Sequence, residues 1–559
     1  MSDRVLGYAI DFGSTNSLIA EVRESGIVVA TLSHGHLGEG MDCCMPSVVY
    51  FDRHADYRAG EDAIEQYVYI GSETTHCAAC ALACEERPDY DATRRKGDPL
   101  PPDHECSDAR LAYGLKQYLA HDDYHGTYSW GRQFGIADMV GWVMRALRMS
   151  VNNQLGEIPV PVAIGIPVVF DGEAPGVREE AIARLRNAAA QAGFARAQFL
   201  EEPKAALVAD LVARGDREVR PDGACIAVDF GGGTFDIAVS VGGTSPWAAD
   251  VTRGVAVGGE HLDSLIFTKV VAPAIGLDGD LIRLPWLGTR SSMIMAAGRA
   301  GSRRQLAEAA RRSEGCQLIS RIFDRGQVYD FWRSIEAAKM ALSTQTTTTV
   351  DFYRPGVQIS VPIDRATLER LAAEPLKRVR ATIEEALDAA NLRPNAVARV
   401  VKTGGSSALP CFDTMLRDLF PNAEFEQKSA LTTVVEGLGE YVRLQFSTSA
   451  VQEPVIEEST TTLMPSESTD MTIESTQLTL EDYTGLAATP GEAALGREVS
   501  QGLDAGVELL FEPVQMTIDG SGVSEEPSQA RFVDEAEAGP ARSAHVGLLG
   551  RLKRLLGRD

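Results

Sequence analysis

Between Val5 and about Arg443, short continuous apolar runs alternate with stretches whose apolar residues recur every three or four positions, separated by Gly-rich turns. Pro161 to Pro167 predicts a strand, and so does Val397 to Val401, which leads into Gly404-Gly405; Arg178 to Ala192 predicts an amphipathic helix. Alternation of strand and helix signals over such a length is the pattern of an α/β protein.

Beyond Gln445 this pattern stops. Ser, Thr, Glu and Pro dominate, as in Glu457 to Glu474, so residues 447–544 are expected to form an acidic flexible tail. Val507 to Phe511 is a short apolar exception that could add a strand or dock. Residues 545–559 change again: Leu548, Leu549, Leu552, Leu555 and Leu556 fall on one helical face, with Arg551, Lys553, Arg554 and Arg558 elsewhere. A basic amphipathic helix is expected there, docking on its own protein, on a partner, or weakly on a membrane surface.

Charge sharpens this division. Residues 447–541 hold 19 of the 79 acidic side chains and only 2 of the 53 basic ones, so much of the net −26 lies in the tail. That balance argues against nucleic acid as a partner, because a phosphate backbone would be repelled. The nine cysteines are too few and too irregular for a disulfide scaffold. There is no run of eighteen apolar residues, and Met1-Ser2-Asp3-Arg4 leads straight into a strand-like segment, so a cytoplasmic location is expected.

Two segments repeat each other: AIDFGSTNSLIAEV from Ala9 and AVDFGGGTFDIAVS from Ala227. Each predicts a strand ending in Asp, a tight turn of Gly, Ser and Thr, and a returning strand, which is a hairpin. Such a turn offers backbone N–H groups and hydroxyls to an anionic phosphate, and the Asp offers a carboxylate to a hydrated Mg²⁺. Two copies suggest two similar lobes around one polyphosphate. No GxxxxGK[ST] sequence is present, which excludes a P-loop site.

Six segments, in order, resemble the heat-shock-protein-70 (DnaK-like) family. The first hairpin resembles its phosphate-1 motif, VDFGGGTFD from Val228 its phosphate-2 motif and LEEPKAAL from Leu200 its connecting segment; VGGEHLD from Val257, SIEAAKMALS from Ser334 and VKTGGSSALP from Val401 follow. The divergent YegD-like branch is the most similar. The resemblance covers residues 1–446 and implies a two-lobed actin-like ATPase (ribonuclease-H-like) fold binding ATP or ADP with Mg²⁺. Nothing later resembles the family's peptide-binding sandwich and lid, so a chaperone-like protein with an unknown client or partner is expected.

The resemblance assigns roles. Asp11 and Asp229 would orient the Mg²⁺ hydration shell, and Glu202 and Asp236 would position the attacking water. Gly13, Ser14, Thr15, Gly231, Gly232, Gly233 and Thr234 would line the phosphates, with Gly258 and Gly259 beside them. Glu336, Lys339 and Ser343 would contact ribose and adenine, and Gly404, Gly405 and Ser406 would flank the base. Spacing alone would instead make Glu336 and Lys339 a solvated helix pair.

Three departures stand out. Ile64 occupies the place of the family's catalytic lysine, and Met340 and Ala408 replace the arginines that sandwich adenine. Loss of a cation near the terminal phosphate removes transition-state stabilisation, so slow hydrolysis is expected, with Lys116 as a candidate substitute. A binding-only scaffold is one alternative, and a sugar-kinase or filament-forming relative another. Separately, Cys77, Cys80 and Cys84 with Cys106 or His104 are a candidate Zn²⁺ set, against the alternative of an Ala- and Cys-rich helix burying its thiols.

Overall fold

The two repeated segments fold as antiparallel hairpins at the centres of two sheets. Val5–Phe12 pairs with Asn16–Arg23, placing Asp11 opposite Leu18. Ala224–Phe230 pairs with Phe235–Val241, placing Asp229 opposite Asp236. The computed structural model describes residues 3–446 except 33–40, 53, 74–108, 122–125, 130–131, 153–155, 157, 171–175, 216–222, 244–248, 278, 281–282, 428 and 430.

Each hairpin is extended in the same way. In the first lobe Val162–Ile166 and then Ala197–Glu201 add in parallel on one side, and Ile27–Val29 adds antiparallel on the other. In the second lobe Val397–Thr403 and Glu424–Gln427 add in parallel, and Val251–Val255 antiparallel. The last parallel step is made through a helix in both cases, Val177–Gln191 and Pro410–Leu419, as parallel neighbours require. The repeat in the letters is therefore a repeat of strand order, and the fold is the expected two-lobed α/β arrangement. Val162–Ile166 and Ala224–Phe230 are buried along their whole length, which is why they read as unbroken apolar runs.

Two crossing helices lie between the sheets. Glu202–Ala213 packs on the second lobe's central hairpin, Thr433–Phe446 packs on Val5–Phe12 and its neighbours, and the two helices pack on each other. Gly437 makes that contact possible, because a Cβ there would lie 1.8 Å from the Ala205 carbonyl oxygen.

The outer halves differ between lobes. The first carries the sheet Tyr57–Ala59, Val48–Asp52, Ala109–Tyr113 with helix Glu61–Glu73. The second carries the hairpin Thr347–Arg354 and Val357–Asp364 with helices from Arg290–Ala297 to Val328–Ala341. One apolar core joins these halves: Tyr50, Tyr67 and Leu111 belong with Met293, Ala297 and Trp332. A separate core lies within the first lobe around Phe12, Val143 and Ile164.

The chain divides after Glu457 into two units, of which the first is described. The acidic tail 447–544, the basic helix 545–559 and the candidate Zn²⁺ residues Cys77, Cys80, Cys84, His104 and Cys106 lie outside the described residues. Among the described residues no helix is long and apolar enough to cross a membrane.

Candidate functional site

Strand geometry delivers the first carboxylates: Asp11 and Asp229 occupy equivalent places near the ends of the two central strands. Glu202 opens its helix directly after strand Ala197–Glu201, with Pro203 in the first turn, where its missing N–H costs nothing. Asp236 is fixed from both sides: Val168 N–H donates to one oxygen at 2.9 Å and Thr234 Oγ1 to the other at 2.7 Å. Glu202, Asp229 and Asp236 are buried, and all interact electrostatically with Asp11 or with one another.

Negative charge crowded this way is costly and favours protonation. Burial, reinforced by Glu202, pushes both Asp11 and Asp236 up to about 7. Asp229 is driven well above the usual carboxylate range by burial and by Glu202, Asp11 and Asp236. The countercharge is Lys116, on the short helix Leu115–Tyr118 that follows Gly114 at φ 73°. Its buried Nζ donates to Glu202 Oε1. Burial opposes the lysine's charge, but Glu202 and Asp11 outweigh it and raise its pKa above the ordinary value. Ile64 lies in helix Glu61–Glu73 and packs against the apolar core.

The two turns stand against each other. A Cβ on Gly232 would lie 2.6 Å from Thr15 Oγ1, and one on Gly233 2.7 Å from Ser14 Oγ. Equivalent bonds close both turns, Gly13 N–H to Asn16 O at 3.1 Å and Gly231 N–H to Thr234 O at 3.0 Å. Gly258, Gly259 and Ser406 buttress the second turn. Gly259 N–H and Ser406 Oγ donate to Gly231 O at 2.9 and 3.0 Å, and a Cβ on Gly258 would meet Gly232 O at 2.2 Å. Gly404, at φ 82°, lets the backbone pass Asp229, whose Oδ1 a Cβ would meet at 2.4 Å. Ser14, Lys116 and Gly232 to Thr234 line one wall of a cavity of about 370 Å³.

The residues assigned to ribose and base are engaged within the protein. Glu336 Oε2 accepts from Arg290 Nη1 at 3.1 Å and Arg333 Nη1 at 2.9 Å. Lys339 Nζ donates to Asp263 Oδ2 at 2.9 Å and Gly259 O at 3.0 Å. The solvated Glu336–Lys339 pair that spacing suggested is thus corrected: each has a partner from another element, and Lys339 is buried. Ser343 follows the C-terminus of that helix, Gly405 has no atom within 4 Å of its Cβ position, and Met340 is 53% exposed.

Four further residues were not singled out by their own positions in the sequence. Glu260, of the second lobe, accepts from Thr15 Oγ1 at 3.0 Å, Tyr113 OH at 2.7 Å and Gln117 Nε2 at 2.9 Å, all from the first. Arg290 is buried between the Tyr113 and Tyr329 rings. Glu260 falls inside the VGGEHLD segment, which was the available signal; Tyr113, Gln117 and Arg290 had none.

A duplicated α/β half, joined by two crossing helices around a carboxylate cluster and two Gly-rich turns, defines an actin-like ATPase fold. A sequence profile described as "Hsp70 protein" matches residues 5–274 and 314–433, so the chain belongs to the Hsp70 family. It is 25% identical over 421 residues to "Chaperone protein DnaK" of Trichormus variabilis, covering 73% of this chain and 50% of that protein. The figures are the same for "Chaperone protein dnaK1" of a Nostoc species. A Thermus thermophilus "Chaperone protein DnaK" is 25% identical over 299 residues, covering 52% and 40%. The chain spans about half the length of the curated relatives it matches.

Proposed function

We propose that this protein binds a magnesium–nucleoside triphosphate between the Ser14–Thr15 and Gly231–Thr234 turns, hydrolyses it slowly, and changes the separation of its lobes with nucleotide state, to be read by a protein client or partner. The observation that carries the reading is the cluster of Asp11 with the buried Glu202, Asp229 and Asp236 around one buried lysine, set beneath two facing phosphate-type turns. An oxygen-only donor set whose carboxylates are pushed toward protonation suits a hard cation. Among the described residues no three His, Cys, Asp or Glu are grouped to ligate a metal directly, so Asp11 and Asp229 would hold the ion through its water shell. Bound there, Mg²⁺ would neutralise phosphate oxygens.

The remaining work falls to the chain. Glu202 would accept the proton of an attacking water, and Asp236, held by Val168 and Thr234, would help orient it. Lys116 takes the role left open by Ile64, balancing charge as the phosphoryl group leaves. Because the turns are in contact, seating a phosphate requires them to part, which couples occupancy to lobe separation. We further propose that the acidic tail 447–544 and basic helix 545–559 act as a tether to a partner or membrane surface, in a cytoplasmic protein.

The existing ion pair of Lys116 with Glu202 favours a second reading, binding without turnover, since both groups are already satisfied. Single-turnover hydrolysis in the wild type and in Glu202→Gln separates the two. A wild-type rate at least tenfold above the variant supports hydrolysis; equal background rates support a scaffold.

A further inference from the structure

The family match breaks off at residue 274 and resumes at 314. The interval contains helices Arg290–Ala297 and Ala300–Ala310. The first of these packs on strand Ala109–Tyr113 of the first lobe and on helices Gly259–Ile266 and Val328–Ala341 of the second. It therefore spans the cleft. Arg290, though charged, is only 1% exposed. Its guanidinium carbon lies 4.5 Å from the centre of the Tyr113 ring, in the first lobe, and 4.8 Å from that of Tyr329, in the second. Nη1 donates to Glu336 Oε2, while Nε and Nη2 have no hydrogen-bond partner.

Neighbouring contacts point the same way. Ser291 Oγ and Tyr118 OH are 2.7 Å apart across the lobes. Gly298 lies so close to Arg110 that a Cβ would sit 2.4 Å from its Cδ. Met293, Ala296 and Ala297 share one core with Tyr50, Tyr67 and Leu111. The link reaches the candidate site through the Tyr113 ring, whose hydroxyl donates to Glu260, which also accepts from Thr15 in the first phosphate-type turn, and through Arg290 and Ser291, which line the same cavity as that turn.

We infer that the helices Arg290–Ala297 and Ala300–Ala310 form a clasp that holds the outer halves of the two lobes as one body, with Arg290 as its positioning residue, and that release of the bound nucleotide waits on its opening. Parting the lobes at this point withdraws Tyr113 from the guanidinium, exposes the shared core to water and leaves the Arg290 charge with one aromatic face instead of two. The turns that would admit or release a phosphate touch each other, so passage requires that parting. The kinetic consequence rests on the nucleotide reading above; the clasp itself does not.

Two measurements test it in the full chain. Spin labels introduced at exposed Tyr69 and Tyr353, one on each outer half, report lobe separation without nucleotide. Fluorescent ADP with Mg²⁺ reports release. For Arg290→Met the clasp predicts a broader, longer distance distribution than wild type and release at least tenfold faster, with Arg290→Lys between the two. Unchanged distances and release within twofold of wild type would overturn it. If no protein binds the nucleotide, the functional reading fails while the distances still decide the clasp. Should Arg290→Met not fold, Ser291→Ala with Tyr118→Phe removes the cross-cleft hydroxyl contact without stranding a charge. Severalfold faster release is then expected, and an unchanged rate with unchanged distances would contradict the clasp.

Discussion

Lys116 and Glu202 form a buried ion pair that ties the helix Leu115–Tyr118 to the start of the crossing helix Glu202–Ala213. Beside them stand Asp11, Asp229 and Asp236, all with pKa values raised by burial and by mutual repulsion. The lysine thus serves two purposes that mutation can separate. It compensates a carboxylate cluster, and in the proposed reading it is also the cation that balances charge on the phosphoryl group.

Lys116→Met leaves Glu202 without its counterion, and breaking a buried pair of this kind costs about 3 kcal/mol or more. Adding Glu202→Gln to the same chain is expected to recover most of that loss in urea unfolding. Single-turnover hydrolysis in Lys116→Met should fall on the order of 10²-fold if the cation stabilises the transition state. Loss of stability with an unchanged rate would confine Lys116 to the structural role.

Gly437→Ala addresses the crossing helices. The new methyl would lie 1.8 Å from the Ala205 carbonyl oxygen, so the helices must separate or shift, at a cost of about 1–3 kcal/mol or more. A drop of that size in denaturant unfolding is expected; a loss below roughly 0.5 kcal/mol would contradict the close approach.

Gly232→Ala probes the facing turns. Its Cβ would meet Thr15 Oγ1 at 2.6 Å on the surface of the cleft, not in a core. Nucleotide affinity should fall at least tenfold while the unfolding midpoint stays nearly constant. Equal affinity would mean that the turns do not enclose the ligand.

The strand hairpins and their terminal Asp residues were legible because the information is local: an apolar run, a small-residue turn and a returning run lie within one short stretch and occur twice. Glu202 was legible for the same reason, since LEEPKAAL joins a strand to a Pro-started helix. Pairings between lobes were not. The partners of Glu260, Thr15, Tyr113 and Gln117 are far apart in the chain, and nothing in their spacing announces that they meet. Glu336 and Lys339 show the converse, since helical spacing offered a local pair, but the fold also brings Arg290 to Glu336 and Asp263 to Lys339 from other elements. Arg290 also lies outside every recognised segment, so only packing revealed it.

Glu336 gives a pH prediction of definite sign. Burial raises its carboxyl, but Arg290, Lys339 and Arg333 outweigh burial and hold it at about 2, below its ordinary 4.5. A depressed carboxyl contributes stability that is complete above its unfolded value and is lost as pH falls toward the folded one. Wild type should therefore exceed Glu336→Gln in stability at pH 6, with the gap closing between about pH 4.5 and 2. Urea unfolding across that range checks it, and a constant gap would contradict the ion-pair account.

The central claim, that the paired turns and their carboxylates grip one magnesium–triphosphate, is tested most directly by calorimetric titration of the full chain with ATP, with and without Mg²⁺. The account predicts saturable one-site heat that depends on Mg²⁺ and is abolished in the double variant Asp11→Asn, Asp229→Asn. Absence of heat from the wild type at millimolar ligand, or equal binding by the double variant, would contradict it.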